Sequence, residues 1–240
     1  MILFTSALFF LTYMLKHILF DLDHTLWDFD GNSHLAKIEL YHKFHLANIF
    51  SSFDEFVSIY TSYNTRLWSE YAAGQTNKDN VSIGRFYYPM LDKGYDNYEL
   101  ARQIADFYLQ NTAQRTSLMP NTLNTLDYLC HKYTLHIITN GFVEVQYKKI
   151  KLSGLDKYIK GIFISDEIGA MKPSKEFFNY VLNSINATCD ECIIIGDSPE
   201  SDIAGGHLNN IKTIYYNSRN INCQYPTTTI HDLKQLTELL

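Results

Sequence analysis

Five short apolar runs punctuate the chain: HILF at 17–20, TLHIIT at 134–139, GIFI at 161–164, CIIIG at 192–196 and IKTIYY at 211–216. Each is too short for a buried helix and is bounded by polar or glycine-containing segments, so each reads as a strand. Helix-length segments separate the later ones: VEVQYKKIKLSG, SKEFFNYVLNSI and ESDIAGGHLNN, with HDLKQLTELL closing the chain. Strands joined by whole helices do not pair through tight turns. They lie side by side in parallel, with helices covering both faces of the sheet. The expected fold class is α/β, a Rossmann-like parallel sheet.

The first run stands far upstream of the others, and the intervening sequence has a helical rhythm throughout. In GNSHLAKIELYHKFHLANIF, Leu35, Ile38, Tyr41 and His42 recur at helical spacing, with Asn32 or Ser33 as the expected cap. Ser52 and Glu55 have the spacing of a capping box for a second helix, and Gly74 stands where that helix should stop. Two more helices are expected near 77–92, shortened or kinked by Pro89, and near 97–112, with Gly94 breaking between them. The expected organisation is an α/β core of residues 14–30 and 115–240, interrupted by a four-helix cap of residues 31–114. Residues 1–13 form an apolar extension that is too short to span a bilayer as a helix and lacks the features of a cleaved signal peptide. Two readings stand for it: Met14 is the functional start, or the segment is an interfacial anchor or uncleaved signal.

A formal charge of −6 without any basic run argues against a nucleic-acid partner. No membrane partner is expected unless residues 1–13 anchor the chain. The cysteines Cys130, Cys189, Cys192 and Cys223 are scattered apart from CDEC, and a chain of this size needs no disulfides, so they read as reduced thiols in a cytoplasm.

In an open parallel sheet, ligands bind at the carboxyl ends of the strands. Polar residues of a particular kind collect there: FDLDHT after the first run, TNG after the second, a Lys-Pro pair after the third and GDSPESD after the fourth. Any one aspartate is most simply a cap or turn residue. The set in this order resembles the four motifs of the haloacid dehalogenase superfamily of phosphohydrolases: Asp21-Leu-Asp23-His-Thr25, Thr139-Asn140-Gly141, Lys172-Pro173, and Gly196-Asp197-Ser198 with Asp202. The helical insertion resembles that of the subfamily with a small four-helix (C1-type) cap. DLDHTLWDF, TNGF, GAMKP and GDSPESDI look most similar to the noncanonical pyrimidine 5′-nucleotidase branch.

The resemblance implies a role for each motif residue. Asp21 would be the nucleophile and form an aspartyl-phosphate. Asp23 would be the general acid and base, a residue that the dehalogenases of the superfamily lack. Mg²⁺ would be the cofactor, held by Asp21, the backbone carbonyl of Asp23 and Asp197, with Asp202 supporting the shell. Thr139, the amide of Asn140 and Lys172 would bind phosphoryl oxygens, and Lys172 would also offset the charge that accumulates in the displacement. Thr25 would shape the loop. The implied partner is a small phosphate ester, first of all a nucleotide, handled by a monomer or homodimer.

Substrate choice would lie in the cap. Trp68, Tyr71, Phe86, Tyr87 and Tyr88 offer stacking faces, although an aromatic stripe at helical spacing is more often core. Arg66 and Arg85 offer contact with a second anionic group, with solvated exposure the simpler expectation. The rival functions are a sugar phosphomutase of the β-phosphoglucomutase kind, another small-metabolite phosphatase such as a phosphoglycolate phosphatase, and a non-enzymatic phosphate-binding module.

Overall fold

The structure is a computed structural model and describes residues 15–240, so both readings of residues 1–13 lie outside the described residues. The chain divides into two compact units, one made of Asp30–Arg115 and the other of the described residues up to Phe29 with Thr116–Leu240.

After β1 (His17–Phe20), the helical unit contains α1 (Phe29–Lys43), α2 (Phe53–Ala72), α3 (Lys78–Asp92) and α4 (Tyr98–Ala113). Ser52, Asn77 and Asn97 accept hydrogen bonds from the backbone N–H groups of Glu55, Asn80 and Leu100, which caps the last three helices. Gly74 and Gly94 follow α2 and α3 with φ of +70° and +74°, left-handed values at which a glycine ends a helix without strain.

Three details differ from expectation. First, α1 starts at Phe29, so Asn32 and Ser33 lie buried within it, and the Ser33 hydroxyl pairs with the Tyr108 hydroxyl at 2.8 Å. Second, the Glu55 side chain returns to the N–H and hydroxyl of Ser51, at 2.7 and 2.8 Å, rather than to its own cap. Third, Pro89 does not shorten α3, which runs on to Asp92. Phe86 is core, the commoner outcome for an aromatic at helical spacing, with ring centroids 5.2 Å from Tyr60 and 5.5 Å from Tyr108.

Arg85 is also buried, at 3% exposure, where solvation was the simpler expectation. Its Nε donates to the Ser82 carbonyl and its Nη1 to Asn64 Oδ1, both at a long 3.3 Å, while Nη2 is buried with no protein partner. Its guanidinium stands 4.8 Å from the Tyr108 ring centroid. Burial opposes ionisation of Tyr108, yet the Arg85 charge and the Ser33 hydrogen bond hold this phenol below its ordinary range.

The other unit continues with α5 (Thr122–Cys130), β2 (Thr134–Thr139), α6 (Val143–Leu152), β3 (Ile159–Ile164), α7 (Ser165–Ile168), α8 (Lys175–Ser184), β4 (Cys192–Gly196), α9 (Ala204–Leu208), β5 (Lys212–Tyr216), β6 (Thr228–Ile230) and α10 (Leu236–Leu239). Its sheet is parallel throughout, in the order β3-β2-β1-β4-β5-β6, with β6 added to the five strands expected from sequence. Alternate residues feed two cores: Ile18, Phe20, Ile137 and Ile195 on one face, Leu19, Ile138 and Ile194 on the other. Burial on both faces explains why the strands read as unbroken apolar runs. Register sets the site: Phe20 is level with Ile137 and Ile195, so the residues that follow β1, β2 and β4 emerge together.

Candidate active site

Asp21 leaves the sheet directly after β1, its N–H still bonded to the Ile195 carbonyl at 2.9 Å as if the strand continued. The residue is 7% exposed, so its carboxylate needs partners, and Lys172 supplies the first. The Lys172 Nζ donates to Asp21 Oδ1 at 2.7 Å, to Asp202 Oδ1 at 2.6 Å and to the Ile138 carbonyl at 3.0 Å, which uses all three ammonium donors. The two carboxylates raise the Lys172 pKa despite burial, so the ammonium stays charged.

Asn140 fixes the lysine from behind. Its Oδ1 accepts from the Lys172 N–H and its Nδ2 donates to the Lys172 carbonyl, both at 3.0 Å. Asp202 is fully buried, and its Oδ2 accepts from the Ser198 N–H at 3.1 Å. Gly196 makes room for it, because a Cβ there would stand 2.3 Å from Asp202 Oδ2. Asp197, 5% exposed, forms an ion pair with Arg219.

Three carboxylates thus converge, and ligand oxygens of Asp21, Asp197 and Asp202 all lie within 4.8 Å of one another. Burial, and after it the neighbouring carboxylates, raises Asp21 well above the ordinary range against the pull of Lys172, and pushes Asp197 up to about 6. The cluster holds more negative charge than Lys172 and the half-exposed Arg219 balance. Oxygen donors with surplus negative charge suit a hard divalent cation, so the residues present fit Mg²⁺.

Asp23 faces another way. Its Oδ1 accepts from the Lys149 Nζ at 2.6 Å and its Oδ2 from the Gln146 Nε2 at 2.8 Å. Gln146 Nε2 also reaches Thr139 Oγ1 at 2.7 Å, and the Gly141 N–H reaches the same oxygen at 3.2 Å. All seven expected residues, Asp21, Asp23, Thr139, Asn140, Lys172, Asp197 and Asp202, therefore sit at the carboxyl ends of the strands.

Three residues, Arg219, Gln146 and Lys149, escaped the sequence reading, and Thr25 does more than shape its loop. The Thr25 hydroxyl lies 3.1 Å from Asp21 Oδ2 and 3.2 Å from Asp197 Oδ1, so it joins two carboxylates as well as shaping the loop. Arg219 carries no motif. Gln146 and Lys149 do leave a signal: they lie three apart on one helix face, just after TNG.

Comparison with known proteins fits this geometry. The haloacid dehalogenase-like hydrolase family matches residues 18–216. The HAD-hydrolase YfnB of Bacillus subtilis is 31% identical over 94% of this chain and 95% of its own length. Its magnesium-bound crystal structure superposes with a TM-score of 0.86, covering 94% of this chain and 98% of that one. The pyrimidine 5′-nucleotidases PynA of Streptococcus pneumoniae and YjjG of Escherichia coli are 30% and 28% identical, over 94% and 93% of this chain and 94% and 96% of theirs. With four motifs at one sheet end and a family match over most of its length, the chain belongs to the haloacid dehalogenase-like hydrolases and is of their phosphatase type.

Proposed function

We propose that the protein is a Mg²⁺-dependent phosphomonoesterase that works through an aspartyl-phosphate on Asp21 and prefers pyrimidine nucleoside 5′-monophosphates. The observation that carries the mechanism is the pairing of two acids with different surroundings. Asp21 lies among carboxylates around Lys172, and Asp23, two residues on, is held apart by Gln146 and Lys149.

Asp21 attacks phosphorus while Asp23 protonates the departing ester oxygen. Asp23 then takes a proton from the water that releases phosphate from Asp21, so one hard displacement becomes two easier ones. Asp21, Asp197 and the carbonyl of Asp23, with Asp202 behind them, would hold Mg²⁺, which would supply charge neutralisation between a carboxylate nucleophile and a phosphate dianion. Thr139 Oγ1 already accepts two hydrogen bonds, which leaves its own proton for a phosphoryl oxygen. The Asn140 side chain is engaged with Lys172, so its backbone N–H is the group assigned to the phosphate. Lys172, fixed by that clamp, offsets charge on the transferring group.

The pyrimidine preference rests on the resemblance of the motifs and on PynA and YjjG, which carry that activity in their names. The four unpaired cysteines support a reducing, cytoplasmic setting. A panel of esters tests the reading. UMP, dUMP or dTMP should exceed purine nucleotides and sugar phosphates in kcat/KM by roughly 10- to 200-fold, the range that shape discrimination supplies. EDTA should abolish phosphate release. A hexose phosphate or phosphoglycolate that outperforms every nucleotide would remove the nucleotidase assignment, and activity untouched by EDTA would remove the metal.

A further inference from the structure

Resting on the phosphatase reading above, we infer that Gln146 and Lys149 are positioning residues that aim Asp23 at the ester oxygen. A loop aspartate turns freely about two side-chain bonds, and its side chain here is 23% exposed. Two donors on two different oxygens remove both freedoms. Lys149 Nζ takes Oδ1 and Gln146 Nε2 takes Oδ2, and both donors come from one face of α6, a rigid element. Each oxygen keeps a second lone pair, enough to carry the proton in the first half-reaction and receive it in the second.

The donors are themselves fixed. The Lys149 side chain is 3% exposed, and its ammonium lies 4.0 Å from the Trp27 ring centroid and 5.4 Å from that of Phe29. Trp27 belongs to the same turn as Asp23, with the His24 N–H on its carbonyl at 2.9 Å, so one loop supplies both the aromatic floor for the ammonium and the acid it holds.

Gln146 lies across Gly141, where a Cβ would come 2.2 Å from its Nε2 and 2.5 Å from its Cδ. The loop after β2 is thus bare at the one place where the amide must pass. That amide also binds Thr139 Oγ1 at 2.7 Å, which sets the spacing between the acid and the threonine assigned to the phosphoryl group. Its Oε1 is buried with no protein partner, a cost the site carries in order to turn the nitrogen toward Asp23 and Thr139.

The chemistry being aimed is balanced. The Asp21 oxygen bonds phosphorus, the phosphorus–ester bond breaks, and the proton of Asp23 moves to the leaving oxygen to give the alcohol. Water then bonds phosphorus, the bond to Asp21 breaks, and a water proton returns to Asp23 as phosphate leaves.

Leaving-group dependence separates aiming from general support of the fold. An alkoxide needs the proton and p-nitrophenolate does not, and kcat/KM reports only the steps through phosphorylation of Asp21. In the full chain with Mg²⁺, Lys149→Met and Gln146→Leu should lower kcat/KM for UMP by about 10²-fold but that for p-nitrophenyl phosphate by less than about threefold. Lys149→Arg should recover most of the loss. In an Asp23→Asn background neither substitution should add more than about twofold, since groups that act through one residue are not additive. Equal losses on both esters, or full additivity with Asp23→Asn, would overturn the inference. Should Lys149→Met not fold, Gln146→Leu, which removes no charge, decides it alone. A wild-type chain that hydrolyses neither ester would refute the phosphatase reading and this inference with it. A wild-type chain that hydrolyses both, with variants that lose equally, would refute the inference alone.

Discussion

The sheet end and the helical unit each bury a cation almost completely, Lys172 at 2% exposure and Arg85 at 3%, and they compensate it in opposite ways. Lys172 places its three donors on two carboxylates and a carbonyl within 3.0 Å, inside a cluster that still carries surplus negative charge. The Arg85 bonds go only to neutral acceptors at 3.3 Å, and one nitrogen has no protein partner. Equal burial therefore does not mean equal attachment. One cation is fastened into a network that would suffer from its loss, and the other sits among dipoles and ring faces that gain little from its charge.

The same kind of substitution should break the two regions unequally. Lys172→Met leaves Asp21 and Asp202 buried without their counter-charge, which should cost about 3 kcal/mol or more in metal-free protein and abolish turnover. Arg85→Met removes a poorly paired guanidinium while keeping its bulk, and should leave stability within about 1 kcal/mol or raise it. Urea unfolding of both variants with EDTA present checks the contrast, and equal losses would dissolve it.

Acidity probes the surplus charge with a smaller effect. Asp197 is raised in the folded protein from 3.8 to about 6, so its contribution to stability is full below about 4 and is lost as pH rises through about 6. His136 works in the other sense. Burial holds it down to about 4, so the stability it lends is present above 6.5 and lost as pH falls toward 4. Comparison with Asp197→Asn isolates the carboxylate, because His136 is common to both proteins. With EDTA, acidification from pH 7 to 5 should shift the stability difference by about 1 kcal/mol in favour of wild type. Saturating Mg²⁺ should erase that shift, and a shift that survives Mg²⁺ would detach Asp197 from the metal site.

The sheet end was largely legible in the sequence because its chemistry is written in short runs at strand ends. Asp21 follows HILF directly and Asp197 follows CIIIG, so strand register brings these two together, with Asp23 two residues further along the loop. The supporting residues were harder to see. Arg219 reaches Asp197 from a loop beyond β5 that no local pattern marks, and Gln146 and Lys149 read as ordinary polar positions of an amphipathic helix until Asp23 is placed opposite them. In the helical unit the periodicity found the helices but not their buried faces. Phe86 and Arg85 are adjacent and both buried, while Tyr87 and Tyr88 are only half-buried, because packing against both α2 and α4 rather than one stripe decides what α3 covers.

The central claim is that Asp21 carries the phosphoryl group, and trapping it is the most direct test. Asp23→Asn with p-nitrophenyl phosphate and Mg²⁺ suits the purpose, since that ester needs no acid to leave and the missing base slows release from Asp21. Acid-quenched single turnover followed by peptide mapping should place a phosphoryl group on the peptide containing Asp21, with a matching burst of p-nitrophenol. Turnover without any covalent phosphate, or wild-type rates retained by Asp21→Asn, would contradict it.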